Sequence, residues 1–439
     1  MEAVACCCKS PLPLRSGCST SPFLITSRTL SPFSRPPRLH SAQAAHRSLK
    51  ACSLNPTPME AASLASVDTV YSADAVEFCP DRPRLFACGT YQVVKGGEEN
   101  DSGGTTTSVE TPDEEEAEAG TSSSPSFTRY GRCLLYEVGS DGQSLKEVQR
   151  FDGPAILDMK WSPRPWNGST TLAIADAKGH VQLHKLDEDS SRLSRLQTVD
   201  CTDESTLCLS LDWSTRRSAT PDPASIVVSL SDGSICTLGG ESAFEVTSSW
   251  HAHDFEPWIA AFDCWEPSTV WTGGDDLTLK GWDMRQGCDR PTFVNKRTFE
   301  GGVTSIQSHQ HVENLFAVGS YDSRIRLFDR RKPLVPLTEF DAGGGIWRLK
   351  WHPTDPTRLL VAGMHGGFKV VNFDNLALNG GADADGWLAP GEGKLHARFD
   401  KHESLAYGVD WSDGGKTEDG KDLIASCSFY DHALHLWAA

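Results

Sequence analysis

Three segments of the chain combine histidine with carboxylate or aromatic side chains, a composition that suits proton transfer and cation binding. They read HAHDFEPW over residues 251–258, GMHGGFKV over 363–370 and KHESLAYG over 401–408. In the second segment, His365 stands where similar segments carry an aspartate, and two glycines follow it. Glycine lets a ligand approach the backbone closely, so His365 is a candidate functional residue. The alternative is an idle histidine in a degenerate repeat.

Aromatic residues from distant segments are expected to meet at one rim of the folded chain. They are Trp258, Tyr321, Trp347, Tyr407 and Tyr430. Three acids, Glu256, Asp275 and Glu403, belong to the same loops. Aromatic faces with acids nearby suit a quaternary ammonium group. The alternative is ordinary packing or a protein interface, which also favours tyrosine and tryptophan.

Composition and missing motifs exclude several classes of protein. The net charge of −18 disfavours nucleic-acid binding and suits a basic partner or a cationic ligand. The 14 cysteines contain no CxxC pair, which argues against zinc and a disulfide framework and favours a reducing compartment. The chain has no GxSxG elbow, P-loop, dinucleotide fingerprint or HExxH motif, and no apolar run approaches the length of a membrane span. No metal or cofactor is predicted.

A repeated strand–turn–strand unit must position these residues. It reads TGGDDLTLKGWDMR over 272–285 and returns over 318–329 and 426–437. A preceding strand recurs seven times, and its copies end at residues 78, 161, 213, 264, 308, 351 and 411. Most spacings lie near roughly 40–45 residues plus insertions, the period of WD40 repeats. The sequence therefore predicts an all-β, seven-bladed WD40 propeller.

In this fold, the loops that lead into the innermost strands and the tight turns of the blades surround one mouth of the central channel, where sites commonly lie. The turn aspartates are interpreted as structural. They are Asp232, Asp276, Asp322 and Asp431. His251 or His253 is likewise a candidate for a structural histidine.

The propeller is predicted over residues 64–439. Leu64–Thr69 is a spare strand, which we expect to close the ring by pairing with the last blade, because that pairing removes an open sheet edge. Residues 1–58 are rich in Ser, Pro and Arg, and they are either a transit-like peptide or a disordered leader with Met59 as the working start. Residues 95–126 hold nine acids and are predicted to form a disordered loop, solvated rather than partner-binding.

Several of these segments resemble the WD-repeat diphthine methyl ester hydrolases of diphthamide biosynthesis, a family also called diphthine methyltransferases. The resemblance covers about residues 64–439, and FEPWIAAF (255–262), MHGGF (364–368) and SFYDHALHLW (428–437) carry it most specifically. It implies hydrolysis of the methyl ester of methylated diphthine on translation elongation factor 2, which gives diphthine for later amidation. It also implies a cytoplasmic protein, although the leader leaves organellar import open. The substrate side chain carries a trimethylammonium group, which suits the aromatic rim.

A mechanism follows as a hypothesis. His365 or His253 acts as general base on a water that attacks the ester carbonyl, and Asp275 or Glu256 orients the histidine. The ammonium group is held by aromatic rings, with Trp258, Trp347 and Tyr430 as the first candidates. The alternative mechanism uses Ser428 or Cys427 as a nucleophile.

A non-catalytic adaptor is the rival class. Two successive repeats end in Asp–x–Arg, at 283–285 and 329–331, which resembles substrate receptors of cullin-type ubiquitin ligases. That resemblance implies that Arg285 and Arg331 contact an adaptor propeller. The alternative is that each arginine forms a local ion pair.

Overall fold

A computed structural model describes residues 58–95, 127–214, 224–376, 386 and 388–439. The predicted 1–58 leader, apart from Pro58, and the predicted acidic loop, apart from Lys95, lie outside these residues. The described chain is all-β, with one short 3-10 turn at Met284–Gln286, and its strands form seven sheets. It is the predicted seven-bladed propeller. No helix in the described part of the chain is long and apolar enough to cross a membrane.

The first strands of the chain are β1 (Met59–Glu60) and β2 (Ser63–Asp68). Blade 1 contains β3 (Ala73–Cys79), β4 (Arg82–Thr90), β5 (Gln92–Lys95), β6 (Phe127–Val138) and β7 (Leu145–Pro154). Blade 2 contains β8 (Ile156–Trp161), β9 (Thr171–Asp176), β10 (His180–Asp187) and β11 (Arg192–Asp200). Blade 3 contains β12 (Cys208–Trp213), β13 (Ser225–Leu230), β14 (Ser234–Gly239) and β15 (Glu245–His251).

Blade 4 contains β16 (Ile259–Phe262), β17 (Thr269–Gly273), β18 (Leu279–Asp283) and β19 (Phe293–Asn295). Blade 5 contains β20 (Val303–Ser308), β21 (Leu315–Ser320), β22 (Arg324–Asp329) and β23 (Thr338–Asp341). Blade 6 contains β24 (Arg348–Trp351), β25 (Arg358–Ala362), β26 (Phe368–Phe373) and β27 (Gly393–Phe399). Blade 7 contains β28 (Ala406–Lys416), β29 (Asp422–Ser428) and β30 (Ala433–Ala438).

Burial distinguishes the innermost strand of a blade from its outer strand. The innermost strands β8 and β12 are buried at every position, whereas the outer strand β11 is largely exposed. Tryptophans that end four innermost strands hold neighbouring blades together, because each indole N–H donates to a backbone carbonyl of the preceding blade. The pairs are Trp161 with Glu77, Trp213 with Lys160, Trp351 with Gln307 and Trp411 with Lys350, at 3.0–3.2 Å. The recurring tryptophan is therefore a link between blades.

The N-terminal strand closes the ring as predicted. Strand β2 pairs antiparallel with β30 and becomes the fourth strand of blade 7. A second contact was not predicted, because two residues carry no periodic pattern. Strand β1 pairs in parallel with β27, the outer strand of blade 6, and the N–H of Ala61 donates to Arg398 O at 2.8 Å. The segment therefore joins blades 6 and 7.

Two innermost strands are shorter than predicted. Strand β16 ends at Phe262, because the Asp263 carboxylate accepts a hydrogen bond from the backbone N–H of Trp265 at 2.9 Å and starts a turn. The apolar pattern predicts that β24 starts at residue 346, whereas the strand begins at Arg348 because residues 343–347 form a loop. Both differences lie at strand ends and leave the blades as predicted.

Candidate functional site

The innermost strands present one residue each to the same end of the channel. Near the start of β3, β8, β12, β20 and β28 the register shifts against the second strand, which places a bulge there. In blades 4 and 6 the equivalent residues, Trp258 and Trp347, directly precede the first paired residue. The bulge residue of β3 is Asp74, and Tyr407 lies within the bulge of β28. We call this end the mouth.

Aromatic side chains form a continuous group at the mouth, which we call the aromatic belt. Its members are Tyr91, Trp258, Tyr321, Trp347, Tyr407, Phe429 and Tyr430. The ring centroids of Trp258 and Trp347 lie 5.9 Å apart although blade 5 separates their blades, so both rings point into the channel. Trp347 also stacks on Tyr407 at 4.7 Å.

The structure brings the five predicted aromatic residues together and adds two more. Tyr407 contacts Phe429 at 5.0 Å, and Phe429 contacts both Tyr91 and Tyr430. Sequence reasoning missed Phe429, although its position directly before Tyr430 in the turn was a usable signal. Most belt rings are buried, whereas Tyr430 is 55% exposed and marks the outer edge. Their role in substrate binding stays a prediction.

Asp275 and Glu256 lie beside the belt. The backbone N–H of Asp275 donates to Glu256 O at 2.9 Å, which fixes one turn against the other. Burial raises the pKa of Asp275, and the Glu256 carboxylate raises it further, while the nearby Trp258 indole lowers it. The Trp258 Nε1 atom is nevertheless buried without a hydrogen bond of good geometry to any described residue. A Cβ at position 302 would lie 2.1 Å from Asp275 Oδ1, so a larger residue there would displace the Asp275 carboxylate.

His253 lies in a buried network that uses both ring nitrogens. Its Nδ1 bonds the Asp276 carboxylate at 2.9 Å, and its Nε2 bonds Thr272 Oγ1 at 2.7 Å. Trp282 Nε1 donates to the same Thr272 oxygen at 2.9 Å. Burial lowers the pKa of His253, although the Asp276 carboxylate opposes this shift. The geometry therefore favours the structural alternative for His253, since neither nitrogen is available to accept a proton from water.

The other turn aspartates also have a structural role, because they stabilise their own turns. Each accepts a hydrogen bond from the backbone N–H two residues later, as shown by Asp232 with Ser234, Asp322 with Arg324 and Asp431 with Ala433. In blade 7, His402 Nε2 bonds Ser426 Oγ at 2.8 Å, and Trp437 Nε1 donates to that oxygen at 3.1 Å. These residues hold turns against strands.

The two nucleophile candidates are buried in blade 7. Ser428 is fully buried, and its hydroxyl donates to the Asp431 carboxylate and bonds His402 Nδ1 at 2.6 Å. Cys427 is fully buried as well, and burial raises the pKa of its thiol well above the ordinary value. Both environments oppose attack on an ester at the mouth, because the Ser428 hydroxyl is held by Asp431 and His402 and the Cys427 thiol stays protonated.

The Asp276 network gives a stability prediction. Asp276→Asn is expected to lower the free energy of unfolding by about 2 kcal/mol, because the change removes a charge-assisted hydrogen bond from buried His253. Although burial acts in the opposite direction, hydrogen bonds from His253 and Thr278 hold the pKa of Asp276 below its usual value. The stabilisation is therefore present at pH 7 and lost as the pH falls below about 4. Urea unfolding of wild type and Asp276→Asn at pH 7 and below pH 4 measures this loss.

A matched variant is Asp232→Asn, because Asp232 is exposed and its carboxylate accepts from the Ser234 N–H. It is expected to change the unfolding free energy by less than about 0.5 kcal/mol. Equal losses in the two variants would contradict a special role for the His253 network.

His365 lies exposed in the turn that joins β25 to β26. The preceding Met364 has a positive φ of 39°, and its carbonyl accepts from the N–H of Ala406 at 3.1 Å. A Cβ at position 345 would lie 3.2 Å from Met364 Sδ. The His365 turn therefore packs against the segments that lead into blades 6 and 7. This places His365 on the rim of the mouth, and its catalytic role stays a prediction.

Arg348 closes the channel below the belt. Its guanidinium lies 5.4 Å from the Trp347 ring, and Nη2 donates to Leu157 O and Asp158 Oδ1, each at 3.2 Å. Strand β24 of blade 6 is thereby tied across the channel to β8 of blade 2. Asp158 also accepts from Lys160 Nζ at 2.9 Å. These three charged side chains form what we call the channel floor.

Asp74 lies between the belt and the channel floor, and sequence reasoning missed it. Its side chain is buried, with 4% of the residue exposed, and Oδ1 has no hydrogen-bond partner among the described residues. Burial raises the pKa of Asp74 to about 7, although the Arg348 charge opposes this shift. The only signal in the sequence is an aspartate at a bulge where the aligned positions 157, 209, 258, 304, 347 and 407 carry no acid.

The opposite end of the channel holds a cavity of about 460 Å³. Three charged side chains of its lining lie together, because Lys350 contacts Glu77 and lies 3.6 Å from Asp410. Burial raises the pKa of Asp410 to about 7. The tryptophans that line this cavity donate their N–H groups to neighbouring blades, so they serve the fold.

The two Asp–x–Arg signatures form local ion pairs. Arg285 Nε and Nη2 bond the Asp283 carboxylate at 2.9 and 3.0 Å. Arg331 makes the same type of contact with Asp329. This is the local alternative from the sequence, although both side chains keep exposed surface, 64% for Arg285 and 37% for Arg331.

Comparison with known proteins agrees with this fold. Residues 293–329 match the family model "WD domain, G-beta repeat". A chain in the crystal structure of the mitotic checkpoint complex matches with a TM-score of 0.57 at 14% identity, over 94% of this chain and 99% of that chain, which shows the fold alone. The protein is therefore a WD-repeat propeller.

Curated relatives define the family more closely. The chain is 35% identical to the diphthine methyltransferase of Homo sapiens, over 85% of this chain and 98% of the relative. It is 38% identical to that of Mus musculus over 80% and 69%, and 32% identical to a homolog in Dictyostelium discoideum over 84% and 96%. The chain belongs to the diphthine methyltransferase family, as its sequence motifs indicated.

Proposed function

We propose that this protein hydrolyses the methyl ester of methylated diphthine on translation elongation factor 2 in diphthamide biosynthesis. The single observation that carries the proposal is the aromatic belt, with Asp275, Glu256 and Asp74 around it. This side chain ends in a trimethylammonium group, and aromatic faces next to carboxylates bind such a group without hydrogen bonds. Membership of the diphthine methyltransferase family supports the proposed choice of substrate. We place the protein in the cytoplasm, where its substrate is made.

The face around the mouth also suits a protein substrate. Its loops expose apolar side chains, which are Val70, Phe255, Leu277 and Tyr430. Exposed aromatic and aliphatic groups around a recessed site are typical of protein interfaces. A diphthine side chain could enter the mouth while the surrounding surface of the elongation factor contacts these loops.

The reaction requires attack of water on the ester carbonyl, release of methanol and a group that accepts a proton. Of the two histidines considered from the sequence, His365 lies on the rim, whereas His253 is committed to the fold. Asp275 and Glu256 lie where they could face the ammonium group. No metal or cofactor is needed for this chemistry.

The direct test is mass spectrometry of elongation factor 2 that carries the methylated intermediate, before and after incubation with purified residues 59–439. We expect the modified peptide to lose the mass of one CH2 unit and methanol to be released in equal amount. Heat-denatured protein serves as the control. An unchanged peptide mass with a folded propeller would refute the proposed reaction.

The adaptor is a second candidate, because Arg285 and Arg331 keep exposed surface beside their ion pairs. We expect the double charge reversal of Arg285 and Arg331 to Glu to leave ester hydrolysis intact and to abolish binding to a cullin-ligase adaptor. Co-purification with the purified adaptor measures the second effect. Loss of hydrolysis in this variant would contradict the separation of the two surfaces.

A further inference from the structure

Asp74 combines burial with an unsatisfied carboxylate oxygen at the mouth. It occupies the bulge of β3, at the position equivalent to Trp258 and Trp347 in their blades. The Trp347 indole lies close enough to lower the pKa of Asp74 in part, yet Trp347 Nε1 is also buried without a hydrogen bond of good geometry to any described residue. A buried acceptor and a buried donor that leave each other unsatisfied mark a place for a polar ligand.

The charged groups near Asp74 leave its Oδ1 atom without a hydrogen bond. Arg348 of β24 lowers its pKa, but the Nη2 atom of Arg348 donates to Leu157 O and Asp158 Oδ1. Asp158 of β8 raises the pKa of Asp74 and is itself paired with Lys160. Among the described residues, the Tyr91 hydroxyl and the Cys427 thiol also feel the Asp74 charge, and their own pKa values are raised. On its own strand, Glu77 belongs to the opposite cavity and contacts Lys350.

We propose that Asp74 is the catalytic base of the hydrolysis, and this inference rests on the proposed function. Its position beside Trp347 would put it next to an ester whose ammonium group occupies the belt. A carboxylate with one free, buried oxygen can accept a proton from a water held between it and the ester carbonyl carbon.

The proposed steps balance without a co-reactant. The Asp74 carboxylate removes a proton from water, the water oxygen bonds the ester carbonyl carbon, and the carbonyl π electrons move to oxygen. The tetrahedral intermediate then re-forms its C=O bond and breaks the C–OCH3 bond. The methoxy oxygen takes the proton from the Asp74 carboxylic acid and leaves as methanol. The product carboxylic acid loses its proton to solvent, and Asp74 returns to the carboxylate.

Burial suits Asp74 to this role. Its pKa of about 7 lies near the working pH, which combines a substantial carboxylate fraction with useful basicity. In the free protein, kcat/KM should therefore rise with pH through an apparent pKa of about 7. A bound ammonium group next to the carboxylate favours its charged form, so kcat should rise at lower pH than kcat/KM does.

The test compares Asp74→Asn with wild type in the mass-spectrometric assay across pH 5.5–8.5. We expect Asp74→Asn to lower kcat about 10²- to 10⁴-fold, to leave KM little changed and to abolish the rise of kcat/KM with pH. Asp200→Asn is the matched control, because Asp200 lies exposed on the outer strand β11. It should keep wild-type kinetics. His365→Ala is measured alongside and should keep the wild-type pH dependence.

The outcomes separate the alternatives. A raised KM with unchanged kcat in Asp74→Asn would make Asp74 a counter-ion of the ammonium group and overturn its role as base. Loss of the pH dependence in His365→Ala alone would assign the base to His365. A wild-type protein that does not demethylate would remove the proposed function and this inference together, whereas activity retained in Asp74→Asn would remove only the inference.

Folding of the variant is checked by its melting temperature. Asparagine has the shape of aspartate and removes a buried, unpaired charge, so Asp74→Asn should melt no lower than wild type at pH 8. The raised pKa means that wild type loses stability as the pH rises from about 4 to about 7, because ionisation of Asp74 opposes folding. The melting temperature of Asp74→Asn relative to wild type should therefore increase over this range. A constant difference would show that Asp74 does not carry the raised pKa.

Discussion

Replacing Trp347 by alanine is expected to cause a large loss of activity while the propeller stays folded. Trp347 is the centre of the aromatic belt, since its ring contacts those of Trp258, Tyr321 and Tyr407. A desolvated cation over a tryptophan face gains about 2 kcal/mol or more, which corresponds to a factor of about 30 in binding. Because the ring also walls the space above Asp74, its removal should admit water and lower kcat as well.

The measurement is kcat and KM for demethylation, together with inhibition by tetramethylammonium as a minimal probe of the cation site. We expect Trp347→Ala to raise KM and to abolish inhibition, and Trp347→Phe to keep part of both. The control is Leu334→Ala, because Leu334 is 60% exposed in the loop after β22, at the opposite end of the channel. Wild-type inhibition in Trp347→Ala would show that the ammonium group binds elsewhere.

The Leu334 control also tests which face of the propeller contacts the elongation factor. Leu334 and its neighbour Val335 are exposed apolar side chains on the face opposite the mouth. If Leu334→Ala weakened demethylation as much as Trp347→Ala did, the elongation factor would have to dock at the wrong end of the channel. The proposed geometry would then fail even though the reaction itself was confirmed.

The fold could be predicted because it depends on repetition. Seven buried strands with the same apolar positions, and turns with an aspartate such as Asp276 or Asp322, each repeat one local solution of backbone geometry and burial. Local patterns of this kind can be recognised in a single sequence. The parallel pairing of Met59–Glu60 with β27 could not be predicted from the sequence, because it depends on a contact with residues more than 300 positions away.

The candidate site was only partly predictable for the same reason. Its aromatic residues were found because tryptophan and tyrosine stand at known positions of the repeat. Asp74 was missed because its properties arise from the surroundings, which are the Arg348 guanidinium, the Trp347 indole and burial that leaves 4% of the residue exposed. His253 shows the converse, since its segment suggested chemistry while its hydrogen bonds to Asp276 and Thr272 serve the fold.

Removing the closing strand is expected to have the largest effect on stability. A chain that begins at Ala73 lacks β1 and β2, so blade 7 loses its fourth strand and the edge of β30 is left unpaired. Leu64, Ala65 and Val67 pack against the core between blades 7 and 1, and this contact would be lost. We expect a loss of more than about 5 kcal/mol, which approaches the whole stability of a typical domain. Chains that begin at Met59 and at Ala73 are compared by urea unfolding.

A pair of point variants tests the same strand without truncation. Val67 faces the core, whereas its neighbour Ser66 is exposed on the opposite face of β2. Val67→Asp should therefore destabilise the propeller by about 2–4 kcal/mol, and Ser66→Asp by less than about 0.5 kcal/mol. Addition of a peptide with residues 59–72 should partly restore the chain that begins at Ala73, because the strand pairs with an edge that remains available. Equal stability of the chains that begin at Met59 and Ala73 would show that the ring does not depend on this closure, and the mouth would then owe its shape to the blades alone.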